Sequence, residues 1–170
     1  MRSALYSIAV GNFAVGIGAF VVAGVLPAIA ADFDVPVSMV GRLVTVYALA
    51  YALSSPVVIA LTGRLERRTI LLFGMTMVTV GNGLVAVAPS FELLYVGRVV
   101  TALGGAAFTP IATAVAALLT KPEERGQAIA LVYAGFAAAT ALGIPAGTYV
   151  AQMARQVGEG GRLLARLGLD

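Results

Sequence analysis

Five long apolar runs, separated by short breaks that hold most of the charge up to residue 152, set the limits on what this chain folds into. The runs cover about 5–31, 41–62, 69–88, 91–119 and 127–152. A helix that crosses a bilayer needs roughly 20 predominantly apolar residues, so each run is long enough to span. Within the runs the apolar residues lie on nearly all sides, without the two-residue alternation of a membrane β-strand. The fold class that follows is all-α: a polytopic membrane protein of about five transmembrane helices. The bundle occupies residues 1–152, and residues 153–170, "MARQVGEGGRLLARLGLD", read as an atypical polar and basic tail. A mean hydropathy of +0.97 agrees with a chain dissolved in lipid rather than in water. Arg2 ahead of an apolar run looks like the start of a signal peptide, but the run continues to Ala31 and others follow, so it reads as a retained first span.

The residue inventory removes several kinds of chemistry. The chain has no cysteine and no histidine, which excludes thiolate ligands, imidazole bases and a Ser/His/Asp triad. No metal site, cofactor or catalytic residue is expected, and the chain is not expected to be an enzyme. The net charge of +3 sits in short clusters, which suits loops beside lipid headgroups and not a nucleic-acid face. Asp32 and Asp34 occupy the first break and Glu92 follows the third, whereas Arg64, Arg67 and Arg68 crowd the second and Lys121 and Arg125 the fourth. The excess of basic residues on cytoplasmic loops then places the N-terminus and the second and fourth breaks in the cytoplasm, for a multi-pass protein of the cell inner (plasma) membrane.

Arg98 is the most informative single residue, because it stands several residues inside an apolar span. An arginine there either faces the bundle or a water-filled cavity, or snorkels to the nearby headgroups. Helical spacing puts Thr101, Ala102, Gly105 and Thr109 on roughly its side, a strip that snorkelling alone does not require. Asn12, Tyr47, Tyr51, Asn82, Tyr133 and Thr140 are further polar candidates, each also readable as an interhelical contact. No Asp or Glu stands in the middle of a span. On the fifth run Gly135, Ala139, Gly143 and Gly147 recur every four residues and offer a close-packing face. Pro56, Pro110 and Pro145 each remove a backbone donor and mark possible kinks.

Several of these stretches resemble the N-terminal part of a major facilitator superfamily transporter of the bacterial drug and sugar efflux type, over about Ala4 to Val150. "RVVTALGGAAFTP" is similar to the fourth-helix motif of proton antiporters, with Arg98 in the place of its basic residue and Gly104 and Gly105 in the place of its glycine pair. "GFAAATALGIPAGT" resembles the fifth-helix antiporter motif and sets Gly135, Gly143, Pro145 and Gly147 in its positions. The loop between the second and third runs takes the place of the family's Gly-x-Leu-Ala-Asp-Arg-x-Gly-Arg-Arg motif. Leu61, Arg64, Arg67 and Arg68 match, while Ile59 stands in place of the first glycine, Gly63 in place of the aspartate and Glu66 in place of the second glycine.

The resemblance implies part of the N-terminal six-helix half of a major facilitator fold, with alternating access as its mechanism. It also implies proton-coupled efflux of a small molecule, a drug or a sugar. Arg98, Thr101, Gly105, Thr109, Asn12 and Tyr51 become the candidate proton-coupling or cavity residues. The partners implied are the lipid bilayer and, in a full-length form, substrate and protons. Because the tail after Val150 departs from the family pattern, a truncated or frame-shifted transporter is expected, able to self-associate or to pair with the missing helices. A short amphipathic surface helix around Leu163, Leu164, Leu167 and Leu169 is the alternative for the tail. The alternative function is a non-transporting membrane remnant or interaction protein.

Overall fold

In lipid every backbone polar group has to find its partner inside the segment, and a run of apolar residues meets that demand as a helix. The computed structural model describes residues 2–63 and 65–167, with side chains as far as Met153. It holds five long helices: α1 (Arg2–Asp32), α2 (Val37–Thr62), α3 (Arg67–Ala86), α4 (Phe91–Leu118) and α5 (Arg125–Leu167). A single 3-10 turn, Pro122–Glu124, leads into α5. All five are long and apolar enough to cross a membrane, the fifth over Pro122–Met153. The helices run unbroken through Pro27, Pro56, Pro110 and Pro145. Past residue 152 the backbone of α5 continues to Leu167 without interruption, so residues 153–167 extend that helix and do not form a separate short one.

The connections are tight, and their chemistry is local. At the end of α1, Asp34 adopts a left-handed φ of 51°, a conformation that a short polar side chain tolerates better than a bulky one. Val35 then donates its N–H to the Ala30 carbonyl at 3.0 Å, closing the helix end. Between α2 and α3, Glu66 holds the N-cap position of α3 in extended conformation, but its carboxylate makes no capping bond. Arg67 and Arg68 are exposed in the first turn of α3, Leu61 is exposed in the last turn of α2, and Arg64 lies outside the described residues. Exposed Arg42 sits in the second turn of α2, at the same end as Asp32, Asp34 and Glu92, and dilutes the charge asymmetry between the two ends.

α4 is the centre of the bundle. It packs on all four other helices, and it is the most buried of them while α2 is the least. α3 lies along α4, α5 lies along α1, and α2 bridges α4 and α1. The two long seams depend on missing side chains. A Cβ on Gly104 would stand 2.6 Å from the Gly74 carbonyl oxygen, and one on Gly135 would collide with the Ala9 carbonyl oxygen. With no apolar driving force between helices in lipid, such close backbone approach is a main source of cohesion.

The fifth-helix glycines are not equivalent. A Cβ on Gly143 meets nothing closer than the Ile17 Cδ1 atom at 3.5 Å, ordinary van der Waals contact. Gly135→Ala is therefore expected to lower stability by about 1–3 kcal/mol through overpacking, while Gly143→Ala is expected to cost nothing measurable. Thermal unfolding of both variants in detergent checks this. Equal losses, or a larger one at Gly143, would contradict the packing described.

Candidate functional site

Arg98 sets the geometry of the polar interior. It is fully buried, at 0% exposure, and its side chain crosses from α4 to the backbone of α1. Nη1 donates to the Gly18 carbonyl at 2.7 Å and Nη2 donates to the Ala19 carbonyl at 2.8 Å. These distances are typical of charge-assisted bonds. The guanidinium carbon also lies 4.4 Å from the centroid of the Tyr47 ring on α2, so three helices enclose one charge. Nε is buried and has no partner. The arginine accordingly faces the bundle, and the snorkelling alternative does not describe this structure.

About three turns further along α4 a second polar link joins three helices. Thr109 donates to Asn12 Oδ1 on α1 at 2.8 Å, and Asn12 Nδ2 donates to the Val132 carbonyl on α5 at 3.0 Å. Asn12 is buried and satisfied on both ends of its amide. Tyr51 lies within interaction range of Thr109 and of Tyr133. Gly105, between Arg98 and Thr109, leaves room for the Tyr47 hydroxyl and the Tyr51 ring, which would be 3.2 and 3.3 Å from a Cβ placed there. Arg98, Gly105, Thr109, Asn12 and Tyr51 are thus brought together.

Thr101 is not part of this group. Its hydroxyl donates to the Gly97 carbonyl of its own helix, and its side chain packs against Gly81 on α3. The physical reason is angular. At about 100° per residue, Gly105 and Thr109 return to within roughly 20° of Arg98, whereas Thr101 is rotated by about 60° toward α3. Asn82 and Thr140 bond carbonyls of their own helices, and Asn82 also lies against Gly18. Leu61, Arg67 and Arg68 sit at the opposite end of the bundle from Arg98, and so lie outside the cluster. Gly135, Gly143 and Gly147 line the α1–α5 seam on the other side of α1, with Pro145 on the same helix.

Beside the arginine, α1, α2 and α5 leave a cavity of about 250 Å³ lined by Phe20, Tyr47, Ala48, Tyr51 and Phe136 among others. The two phenylalanines, which carry no polar atom and so drew no attention in the sequence, meet edge to face at 5.6 Å. Among the described residues no group of His, Cys, Asp or Glu is placed to hold a metal ion.

Residues 8–155 match the sequence profile of the Major Facilitator Superfamily. The chain belongs to the major facilitator superfamily. It is a multi-pass membrane protein of a family of transporters, not of enzymes. Over 149 residues it is 36% identical to the MFS-type transporter YtbD of Bacillus subtilis, an alignment that covers 88% of this chain and 38% of that one. The inner membrane transport protein YdhP of Escherichia coli is 32% identical over 148 residues, 87% of this chain and 38% of its own length. A chloramphenicol resistance protein of Streptomyces lividans is 35% identical over 144 residues, covering 85% and 37%. The chain thus spans somewhat over a third of the length of these superfamily relatives.

The Asn12–Thr109 bond makes a measurable claim. Asn12→Leu and Thr109→Val, singly and together, are expected to show a coupling energy of about 0.6 kcal/mol, with about 1.7 as the upper end for hydrogen bonds between helices in lipid. Reversible unfolding of the four proteins in mixed micelles gives the cycle. Strict additivity would show that the two side chains do not meet.

Proposed function

We propose that this chain serves proton-coupled export of a small molecule, a drug or a sugar, by alternating access, together with further helices that complete the transporter. The observation that carries the reading is the buried guanidinium of Arg98, bonded to carbonyl dipoles and to no carboxylate. A charge in the middle of a membrane bundle is costly and marks a functional position by default. A fixed positive charge in a low dielectric destabilises a proton held nearby and helps to release it, which is the service a proton-coupled exporter needs. The titrating group itself would come from outside the described spans, since none of them carries a central carboxylate. Arg98, Gly105, Thr109, Asn12 and Tyr51 would shape the wall of the cavity. The fifth-helix residues Gly135, Gly143, Pro145 and Gly147 would let α5 shift against α1. The name of the Streptomyces lividans relative supports a small organic substrate.

Leu61, Arg64, Arg67 and Arg68 would hold the α2–α3 turn at the cytoplasmic face of the inner membrane, with the N-terminus on the same side. Since the chain lacks cysteine, single cysteines at Glu66 and Phe33 report orientation cleanly. An impermeant thiol reagent outside intact cells is expected to label only position 33, and labelling of position 66 alone would invert the topology.

The transport reading is tested by co-expressing this chain with the remaining length of a relative such as YtbD in inside-out vesicles. A pH gradient is expected to drive saturable uptake of a small-molecule dye, reduced at least tenfold by Arg98→Ala at equal abundance. Arg98→Lys is expected to recover only part of it, because an ammonium does not reproduce the fork of donors that meets two carbonyls. Undiminished gradient-driven flux in Arg98→Ala would contradict the role given to the arginine.

A further inference from the structure

Asn82 is tied to its own helix by hydrogen bonding and to α1 by packing. Its Nδ2 donates to the Val78 carbonyl at 2.9 Å, and its amide makes no other hydrogen bond among the described residues. That carbonyl also takes the Asn82 backbone N–H in the ordinary helical pattern, so the side-chain bond is not needed to satisfy it. What the bond does is fix the rotamer of the amide. The pinned amide lies across Gly18: a Cβ built there would stand 2.5 Å from Nδ2 and 3.3 Å from both Cγ and Oδ1. Gly18 is also the residue whose carbonyl accepts from Arg98 Nη1 at 2.7 Å. One residue of α1 is thus met from two helices, by a charged donor from α4 and by an amide from α3.

The seam between α3 and α4 sets the two side chains at nearly one level. Gly74 meets Gly104 and Gly81 meets Gly97, a register that places Asn82 opposite Val96, roughly 3 Å along the axis from Arg98. α3 packs chiefly on α4 and touches α1 over a short stretch, so support for α1 from that side falls to few residues.

We propose that Asn82 is a positioning residue for Arg98: its amide backs Gly18 from the α3 side and keeps the Gly18 carbonyl where Nη1 reaches it. The inference rests on the transporter reading above and adds what holds the arginine of that site in place. A hydrogen bond weakens steeply with misalignment. Without the amide, Gly18 has room to shift, and Nη1 loses a fixed acceptor while Nη2 keeps the Ala19 carbonyl. A planar fork held at two points has one orientation; held at one, it turns about the Nε–Cζ bond. A charge that moves does less to release a proton held nearby than one fixed close to it.

The test reads the Arg98 guanidinium by 15N NMR of the 170-residue chain in lipid, with its signals assigned by their loss in Arg98→Lys. Separate Nη1 and Nη2 resonances are expected in the wild type. Asn82→Ala is expected to speed their exchange at least tenfold or merge them. Asn82→Ser keeps a hydroxyl for the Val78 carbonyl but lacks the reach to Gly18, and is expected to behave like Asn82→Ala. Adding Gly18→Ala to Asn82→Ala is expected to restore separate signals, because the new methyl takes the place of the amide. Should Asn82→Ala fail to fold, Asn82→Ser and the double variant still decide. Unchanged exchange in Asn82→Ser, or no restoration in the double variant, would overturn the proposal. In the co-expressed transporter, Asn82→Ser is expected to move half-maximal flux to higher pH by about half a unit, because a looser positive charge assists proton release less. An unmoved pH profile beside loosened Arg98 signals would overturn the bearing of Asn82 on transport. The NMR needs no gradient, so a wild-type flux assay that fails defeats the transporter reading alone.

Discussion

The two hydrogen bonds from the Arg98 guanidinium to the Gly18 and Ala19 carbonyls are the constraint around which the bundle is arranged. A charge in lipid needs polar partners at fixed places, and here they are backbone atoms of a neighbouring helix. Backbone acceptors do not change rotamer, so the bond pair sets the register of α4 against α1 to within a fraction of a turn. It also demands close approach. A Cβ on Gly18 would stand 2.5 Å from Asn82 Nδ2 on α3, so a side chain there would require the Asn82 amide to move. Tyr47 closes the arrangement from α2 and shields the charge with its ring.

α1 is consequently held in two different ways. Toward α4 it is held by directional bonds at Gly18, Ala19 and, through Asn12, at Thr109. Toward α5 it meets a seam of small residues, where Gly16 touches Ala139 and Gly147 approaches the Val21 carbonyl. Thr148 and Asn12 supply the polar bonds across that seam, to the Gly24 and Val132 carbonyls. Both interfaces of α1 thus carry directional bonds, and Phe136 on α5 lines the cavity beside them.

Much of this was legible in the sequence, for physical reasons that differ from element to element. The five helices follow from run length alone, since lipid leaves an apolar segment of that size little other choice. Gly105 and Thr109 follow from spacings of seven and eleven residues, which return to the face of Arg98 almost without drift. Thr101, three residues on, shares that face only loosely and turned to α3 instead. The acceptors of the arginine left no trace, because a carbonyl is present at every residue. Phe20 and Phe136 were likewise hidden, since an aromatic residue in an apolar run looks the same whether it meets lipid or a cavity. Arg42 was absorbed into a span by its apolar neighbours.

The most direct measurement of the account is a dipolar distance between the side-chain nitrogens of Arg98 and the carbonyl carbon of Gly18, by solid-state NMR of the chain in lipid bilayers. With arginine labelled in 15N on the side chain and glycine in 13C on the carbonyl, a short Nη–carbonyl contact is expected, and it should vanish in Arg98→Lys. The account is contradicted if that contact is absent and the guanidinium of Arg98 instead shows proximity to lipid phosphorus.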